Sequence, residues 1–200
     1  MELTTSLLLY TALLVTVGAF RLGELRLSRH NRNRLRARGA ARVPEPHFRA
    51  MVLLHTAILA GSGLEAWLTR RPPILPLTAA MLGLLVGATA LRLWVIATLG
   101  RHWNVVIVDS VALGVVTRGP YRWIRHPNYV AVFVELLALP LVHAAWVTAL
   151  LGSAAHVWVL YHRIRTEEAA LLAHQSYRAL MGPKPRFIPR LGLAPPGGGG

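Results

Sequence analysis

Two clusters of polar residues stand at the ends of apolar runs, and their types and spacing could hold a small charged ligand. The first is Arg118-Gly119-Pro120-Tyr121-Arg122-Trp123-Ile124-Arg125-His126-Pro127-Asn128-Tyr129. Gly119-Pro120 is a turn signal. Pro127 suits the first turn of a helix, where a missing N–H is no loss, and the free N–H groups of such a turn can face an anion. His126 and Tyr129, three apart, share a face of a helix that begins there. The second cluster is Arg163-Ile164-Arg165-Thr166-Glu167-Glu168. Arg163 and Glu167, four apart, lie on one helix face. One can bind an anion while the other meets a cation, and a planar guanidinium matches a carboxylate. Glu168 is turned about 100° from Glu167 and reads as an exposed charge. Taken singly, each cluster has a plainer reading. Basic residues at a helix end anchor it among headgroups, and an Arg–Glu pair at this spacing is commonly a surface salt bridge. Together, on neighbouring helix ends facing one side, they point to a site.

The elements that must carry these clusters are membrane helices. Of 200 residues, 54% are hydrophobic and only 15% charged, against roughly 25% charged in a soluble domain. Leu3 to Phe20 is uncharged and long enough to cross a hydrocarbon core of about 30 Å at ~1.5 Å per residue. Glu2 precedes this run and the arginines follow it, which is the reverse of a signal peptide. Further spans are expected at Phe48 to Leu68 and Ile74 to Leu99, separated by Arg70-Arg71-Pro72-Pro73. Tyr129 to His143 and Trp146 to Tyr161 read as a helical hairpin whose first arm is short for a full crossing, and Thr166 to Met181 as a helical tail stopped by prolines. The fold class is therefore an all-α integral membrane protein of about five transmembrane helices, with a C-terminal helical hairpin and a cytoplasmic amphipathic tail.

Arginines set the expected topology. Residues 21–49 hold nine arginines and two glutamates, Glu24 and Glu45, with almost no aromatic residues. Nucleic-acid binding favours aromatic groups beside the charges, so no nucleic-acid partner is expected. The stretch reads as a cytoplasmic loop, residues 21–46, touching anionic lipid, with the N-terminus outside. Three regions follow: an N-terminal three-helix region 1–99, a region 100–190 holding both clusters, and a flexible tail 191–200. The location expected is a bacterial inner membrane, with the site at the cytoplasmic face.

The stretch Gly119-Pro120-Tyr121-Arg122-Trp123 through Arg125-His126-Pro127-Asn128-Tyr129 resembles the signature of the isoprenylcysteine carboxyl methyltransferase family. So do Arg163-x-x-x-Glu167-Glu168 and Pro185-Arg186-Phe187-Ile188-Pro189, with the hairpin between. The resemblance covers about residues 100 to 190. It implies an O-methyltransferase using S-adenosylmethionine, whose carboxylate and ammonium suit the two kinds of charge above. By the same resemblance His126, Pro127, Asn128 and Tyr129 bind the cofactor, Tyr121 contacts it, and a strand-like segment Leu113, Gly114, Val115 and Val116 lines the adenosine. Glu167 holds the cofactor and Arg163 faces the methyl acceptor. Val106 stands where some members place a polar side chain, so that contact is absent or made by backbone. The acceptor implied is lipophilic and enters from the bilayer. It carries either a carboxylate, as in prenylated cysteine, or a hydroxyl, as in the small alkylpyrones methylated by related bacterial members.

Other residues weigh less. Glu135, an ionisable group within a membrane helix, is a functional candidate for the acceptor pocket beside Arg163, whereas Glu65 reads as interfacial. Gly83 and Gly87 form a GxxxG pair and a candidate close-packing face. Gly61-Ser62-Gly63-Leu64-Glu65-Ala66 matches a dinucleotide fingerprint in letters but lacks the preceding strand, so it reads as small-residue packing. With no cysteine and scattered His102, His143, His156 and His162, no metal site is expected. Two rivals stand: a sterol-reductase-like membrane reductase using NADPH, and a non-enzymatic membrane lipid-binding protein.

Overall fold

A computed structural model describes residues 2–190; the expected tail at 191–200 lies outside them. The chain folds into helices α1 (Leu3–Arg36), α2 (Phe48–Thr69), α3 (Leu75–Leu99), α4 (Pro127–Leu141), α5 (Trp146–Leu171) and α6 (Gln175–Met181). Two short strands, β1 (Ala41–Arg42) and β2 (Val108–Asp109), pair antiparallel with Ala41 opposite Asp109. Helices α1 and α2, and α3 with the turn that follows it, are long and apolar enough to cross a membrane. This is an all-α integral membrane fold. α4, with 15 residues, spans only about 22 Å at 1.5 Å per residue and is sheltered by protein, packed against α3, α5 and α2.

The hairpin's backbone is sealed by side chains from other helices. The last carbonyls of a helix have no partner within it. At the end of α4, Tyr10 Oη donates to Leu139 O at 3.0 Å and Thr78 Oγ1 to Val142 O at 2.8 Å. The start of α5 has the opposite need. Glu65 accepts from the N–H groups of Val147 and Thr148 at 3.0 and 2.8 Å, placing a carboxylate at a helix N-terminus, where it is favoured. Glu65 is thus a cap supplied by α2 rather than a merely interfacial charge.

Two expectations are corrected here. The basic stretch 21–46 is not a loop throughout, because α1 continues unbroken to Arg36 and only its residues 37–46 lead from it toward α2. Leucine and arginine are good helix formers, and the extension has a face to bury. Ser28, Asn31 and Leu35 all face inward. Asn31 donates to Gly100 O and Trp103 O at 3.1 and 2.8 Å, and Ser28 Oγ accepts from Val105 N–H at 2.9 Å. The extension therefore pins the segment after α3, while most of its arginines stay outside. The second correction concerns Gly83 and Gly87. They lie on the exposed side of α3, and a Cβ at either would meet nothing within 4 Å. Close packing instead uses Gly152, whose Cβ would sit 2.7 Å from Ile58, and Gly61, 3.3 Å from Thr148. Gly61 and Gly63 thus belong to helix packing.

Candidate active site

The site forms where α4 begins and α5 ends. The turn Gly119–Arg122 leads in, with Gly119 at φ +57 and its Cα so close to Thr98 that any Cβ would fall 2.4 Å from Oγ1. Only glycine satisfies both conditions. The C-terminal segment then returns alongside: Arg125 N–H donates to Pro185 O at 2.9 Å and His126 N–H to Arg186 O at 3.0 Å. Lys184 Nζ donates to Tyr121 O at 2.7 Å. Pro127 opens α4 in the position its missing N–H allows.

Around this frame the polar side chains interlock. Tyr129 Oη donates to Glu167 Oε2 and accepts from Arg163 Nε at 3.0 Å. His126 stacks on Tyr129 with ring centroids 5.3 Å apart. Arg163 Nη1 donates to Glu45 Oε2 at 2.6 Å, and its Nη2 to Val105 O. The other oxygen of Glu45 accepts from Ile107 N–H at 2.6 Å. Glu168 accepts from Arg186 at 2.6 Å, lies 3.0 Å from His126 Nε2 and 3.3 Å from Arg125.

Glu168 is therefore not the exposed charge expected. It is buried because the Pro185–Phe187 segment folds over the last turns of α5, beyond its apolar run. Burial alone would raise its pKa, but hydrogen bonds from His126 and Arg186, and the charges of His126 and Arg125, bring it down to about 2. Burial pushes the Tyr121 and Tyr177 hydroxyls upward, and the nearby Glu167 carboxylate adds to it. Both phenols stay protonated at neutral pH.

One cleft collects most of the expected residues. Gly114, Val115, Val116, Tyr121, His126, Asn128, Tyr129, Arg163 and Glu167 line it together. Leu113 does not. It ends a 3-10 turn and points its side chain outward, since Gly114 at φ +113 redirects the chain before Val115. Residues 115–116 join no strand. Pro127 is fully buried behind the cleft and shapes the helix start. Arg163 and Glu167 share the cleft, yet Arg163 pairs with Glu45 rather than with Glu167. Val106 lines the cleft beside Ile107 and Val108.

A second chamber of about 430 Å³ lies deeper, bordered by α1, α2, α4 and α5. Gly18, Leu22, Val52 and Thr56 are among its walls, and Leu22 and Val52 are exposed on the outer surface between α1 and α2. Trp103, Asn104, Asn128, Tyr129 and Arg163 belong to both cavities. Glu135 lies behind this chamber rather than on its wall. It accepts from Arg21 at 2.7 Å, while Arg92 bonds Glu24 at 2.6 Å. Among the described residues, no three His, Asp or Glu side chains gather as a metal site.

Glu45 and Glu24 were missed as functional partners. Their signal was nonetheless present: they are the only two acids in a stretch of nine arginines, and each pairs with an arginine on a distant helix.

The fold is thus an apolar helical bundle with a charged cleft at its helix ends that shares a wall with a largely apolar chamber. Residues 81–173 match the Isoprenylcysteine carboxyl methyltransferase (ICMT) family. The chain is 31% identical over 154 residues to the uncharacterized protein YpbQ of Bacillus subtilis, covering 76% of this chain and 89% of that protein. It is 28% identical over 156 residues to an uncharacterized protein of Haemophilus influenzae, again over 76% and 89%. The chain belongs to the isoprenylcysteine carboxyl methyltransferase family, a family of membrane methyltransferases.

Proposed function

We propose that the protein transfers a methyl group from S-adenosylmethionine to an oxygen of a lipophilic acceptor, a hydroxyl or a carboxylate, at the cytoplasmic face of a bacterial inner membrane. The observation that carries this reading is the shared wall. A polar cleft and an apolar chamber meet at Tyr129 and Arg163, so ligands of opposite polarity would face each other there.

The cleft's donor set fits the cofactor. Glu167 offers a carboxylate to an ammonium, and Arg125 a guanidinium to a carboxylate. Val111, Val115 and Val116 offer an apolar surface to a purine. Asn128 Oδ1, buried without a hydrogen-bond partner, lacks a donor. When bound, the cofactor supplies an electrophilic methyl group on a sulfonium. The chain's part is to align and to keep water out. Tyr129, held between Glu167 and Arg163, fixes the wall. Arg163, held by Glu45, keeps its guanidinium at the chamber's mouth. The acceptor reaches that mouth sideways between α1 and α2.

Incubating the purified protein with methyl-labelled cofactor and a bacterial lipid extract tests the proposal. Label in an organic-soluble product supports it. Its absence, from protein that binds NADPH instead, favours the reductase.

A further inference from the structure

The chamber's charges are matched within the protein. Arg21 lies 2.7 Å from Glu135 and 3.3 Å from Glu24, Arg92 hydrogen-bonds Glu24 at 2.6 Å, and Arg163 pairs with Glu45 at 2.6 Å. Three arginines thus meet three glutamates. An acceptor carboxylate would have to break one of these pairs and strand a buried charge, which is costly. Arg92 Nη1 makes no hydrogen bond but lies 3.5 Å from Glu135, and the neutral groups on the chamber wall left without a hydrogen-bond partner are Trp103 Nε1, Asn128 Oδ1 and two imidazoles. His55 on α2 and His156 on α5 both line the chamber, with ring centroids 5.2 Å apart. His55 Nε2 and His156 Nδ1 are buried and have no hydrogen-bond partner. His156 is only 3% exposed. Such groups carry a desolvation penalty unless a ligand satisfies them. Their placement suits a reacting acceptor. Met51, one turn before His55, touches Arg163 Nη1 through Sδ at 3.3 Å. His156 lies two turns before Arg163 on the same face of α5.

We propose that the His55–His156 pair receives the proton of a hydroxyl acceptor, a phenol or enol on a long apolar chain, with His55 Nε2 as the accepting atom. This rests on the methyl-transfer reading above and deepens it. The acceptor O–H bond breaks with its electron pair remaining on oxygen, and the proton passes to the imidazole lone pair. That oxygen bonds the methyl carbon as the carbon–sulfur bond of the sulfonium breaks, its pair staying on sulfur. One positive charge leaves the sulfur and one appears on the imidazole, so the site's net charge is unchanged in a poorly solvated place. His156, against the ring of Phe133, backs His55 as a positioning residue. The charged groups around the pair are Arg21 and Glu24 on α1, Glu45 before α2, Arg92 on α3, Glu135 on α4 and Arg163 on α5, all in the ion pairs above.

The test uses the full chain in detergent and begins without cofactor. Binding of a 4-alkylphenol is compared with that of its methyl ether and of a fatty carboxylate of equal length, for wild type, His55→Gln and His55→Leu. The phenol should bind wild type at least several-fold more tightly than the ether or the carboxylate, and His55→Leu should erase that preference. Turnover is then measured with the alkylphenol and with a nitro-substituted analogue already ionised at assay pH. His55→Leu should lose about 100-fold with the first, the scale of general-base catalysis, and little with the second. Equal binding of phenol and ether by wild type, tighter binding of the carboxylate, or an equal loss with both phenols would each overturn the proposal. S-adenosylhomocysteine binding by the same variants separates the two claims. If wild type fails to bind it, the methyltransferase reading itself falls.

Discussion

Glu45→Gln is the perturbation that probes the site's least visible support. Glu45 lies between two prolines before α2, yet its carboxylate holds Arg163 at 2.6 Å and the Ile107 N–H at 2.6 Å, with 4% of its side chain exposed. A glutamine can still accept from Ile107, but its amide no longer neutralises Arg163. Removing one partner of a buried pair costs roughly 3–5 kcal/mol. Arg163 keeps its bonds to Tyr129 and Val105, so the lower end, about 3 kcal/mol, is expected. At roughly 2–4 °C per kcal/mol for a chain of this size, Tm should fall by about 6–12 °C. Turnover should fall with it, because Arg163 and the Val105–Ile107 segment form the wall between the cavities. The Glu45→Gln/Arg163→Gln double variant should be less destabilised than the sum of the single variants, as coupled residues require. Thermal melting in detergent, paired with methyl transfer, measures both quantities. Wild-type Tm in Glu45→Gln, or strict additivity in the double variant, would refute the assigned pairing.

Glu167→Gln should weaken S-adenosylhomocysteine binding about tenfold or more with little change in Tm, read by titration, because its carboxylate faces the cleft and makes one hydrogen bond, from Tyr129, with His126 Nδ1 3.9 Å away. Glu168→Gln should do the reverse and chiefly destabilise the fold. The Glu168 carboxyl is held at about 2 against an ordinary 4.5, so its contribution is present above pH 4.5 and lost as pH falls toward 2. The Tm gap between wild type and Glu168→Gln should therefore close over that window. Gly152→Ala should cost about 1–3 kcal/mol by overpacking against Ile58, whereas Gly83→Ala should be neutral or stabilising in the same melting assay, since nothing lies near it.

Much of the fold was legible because a membrane helix is written as an uninterrupted apolar run ended by prolines or charge. The bounds of α2 and α3 follow from Arg70, Arg71, Pro72 and Pro73 for that reason. The full length of α1 is not legible, because its last four turns are polar on most faces and their inward face, Ser28, Asn31 and Leu35, has meaning only against the segment after α3. The cleft was legible as local motifs, since His126 to Tyr129 and Arg163 to Glu167 are close in sequence. Its supports were not. Glu45 and Arg163 are 118 residues apart, and no periodicity links them. The burial of Glu168 is not legible, because α5 alone would expose it. The cover comes from Pro185 to Phe187, which pairs with the backbone before α4. His55 escaped notice because a histidine in an apolar run, without its neighbours, carries no chemistry.

The decisive measurement for a methyltransferase site is titration of S-adenosylhomocysteine, with NADPH in parallel, into the purified 200-residue chain. Saturable S-adenosylhomocysteine binding that Glu167→Gln and His126→Ala both weaken, and no NADPH binding, is the expected result. Saturable NADPH binding without S-adenosylhomocysteine binding, or S-adenosylhomocysteine affinity unchanged in both variants, would contradict it.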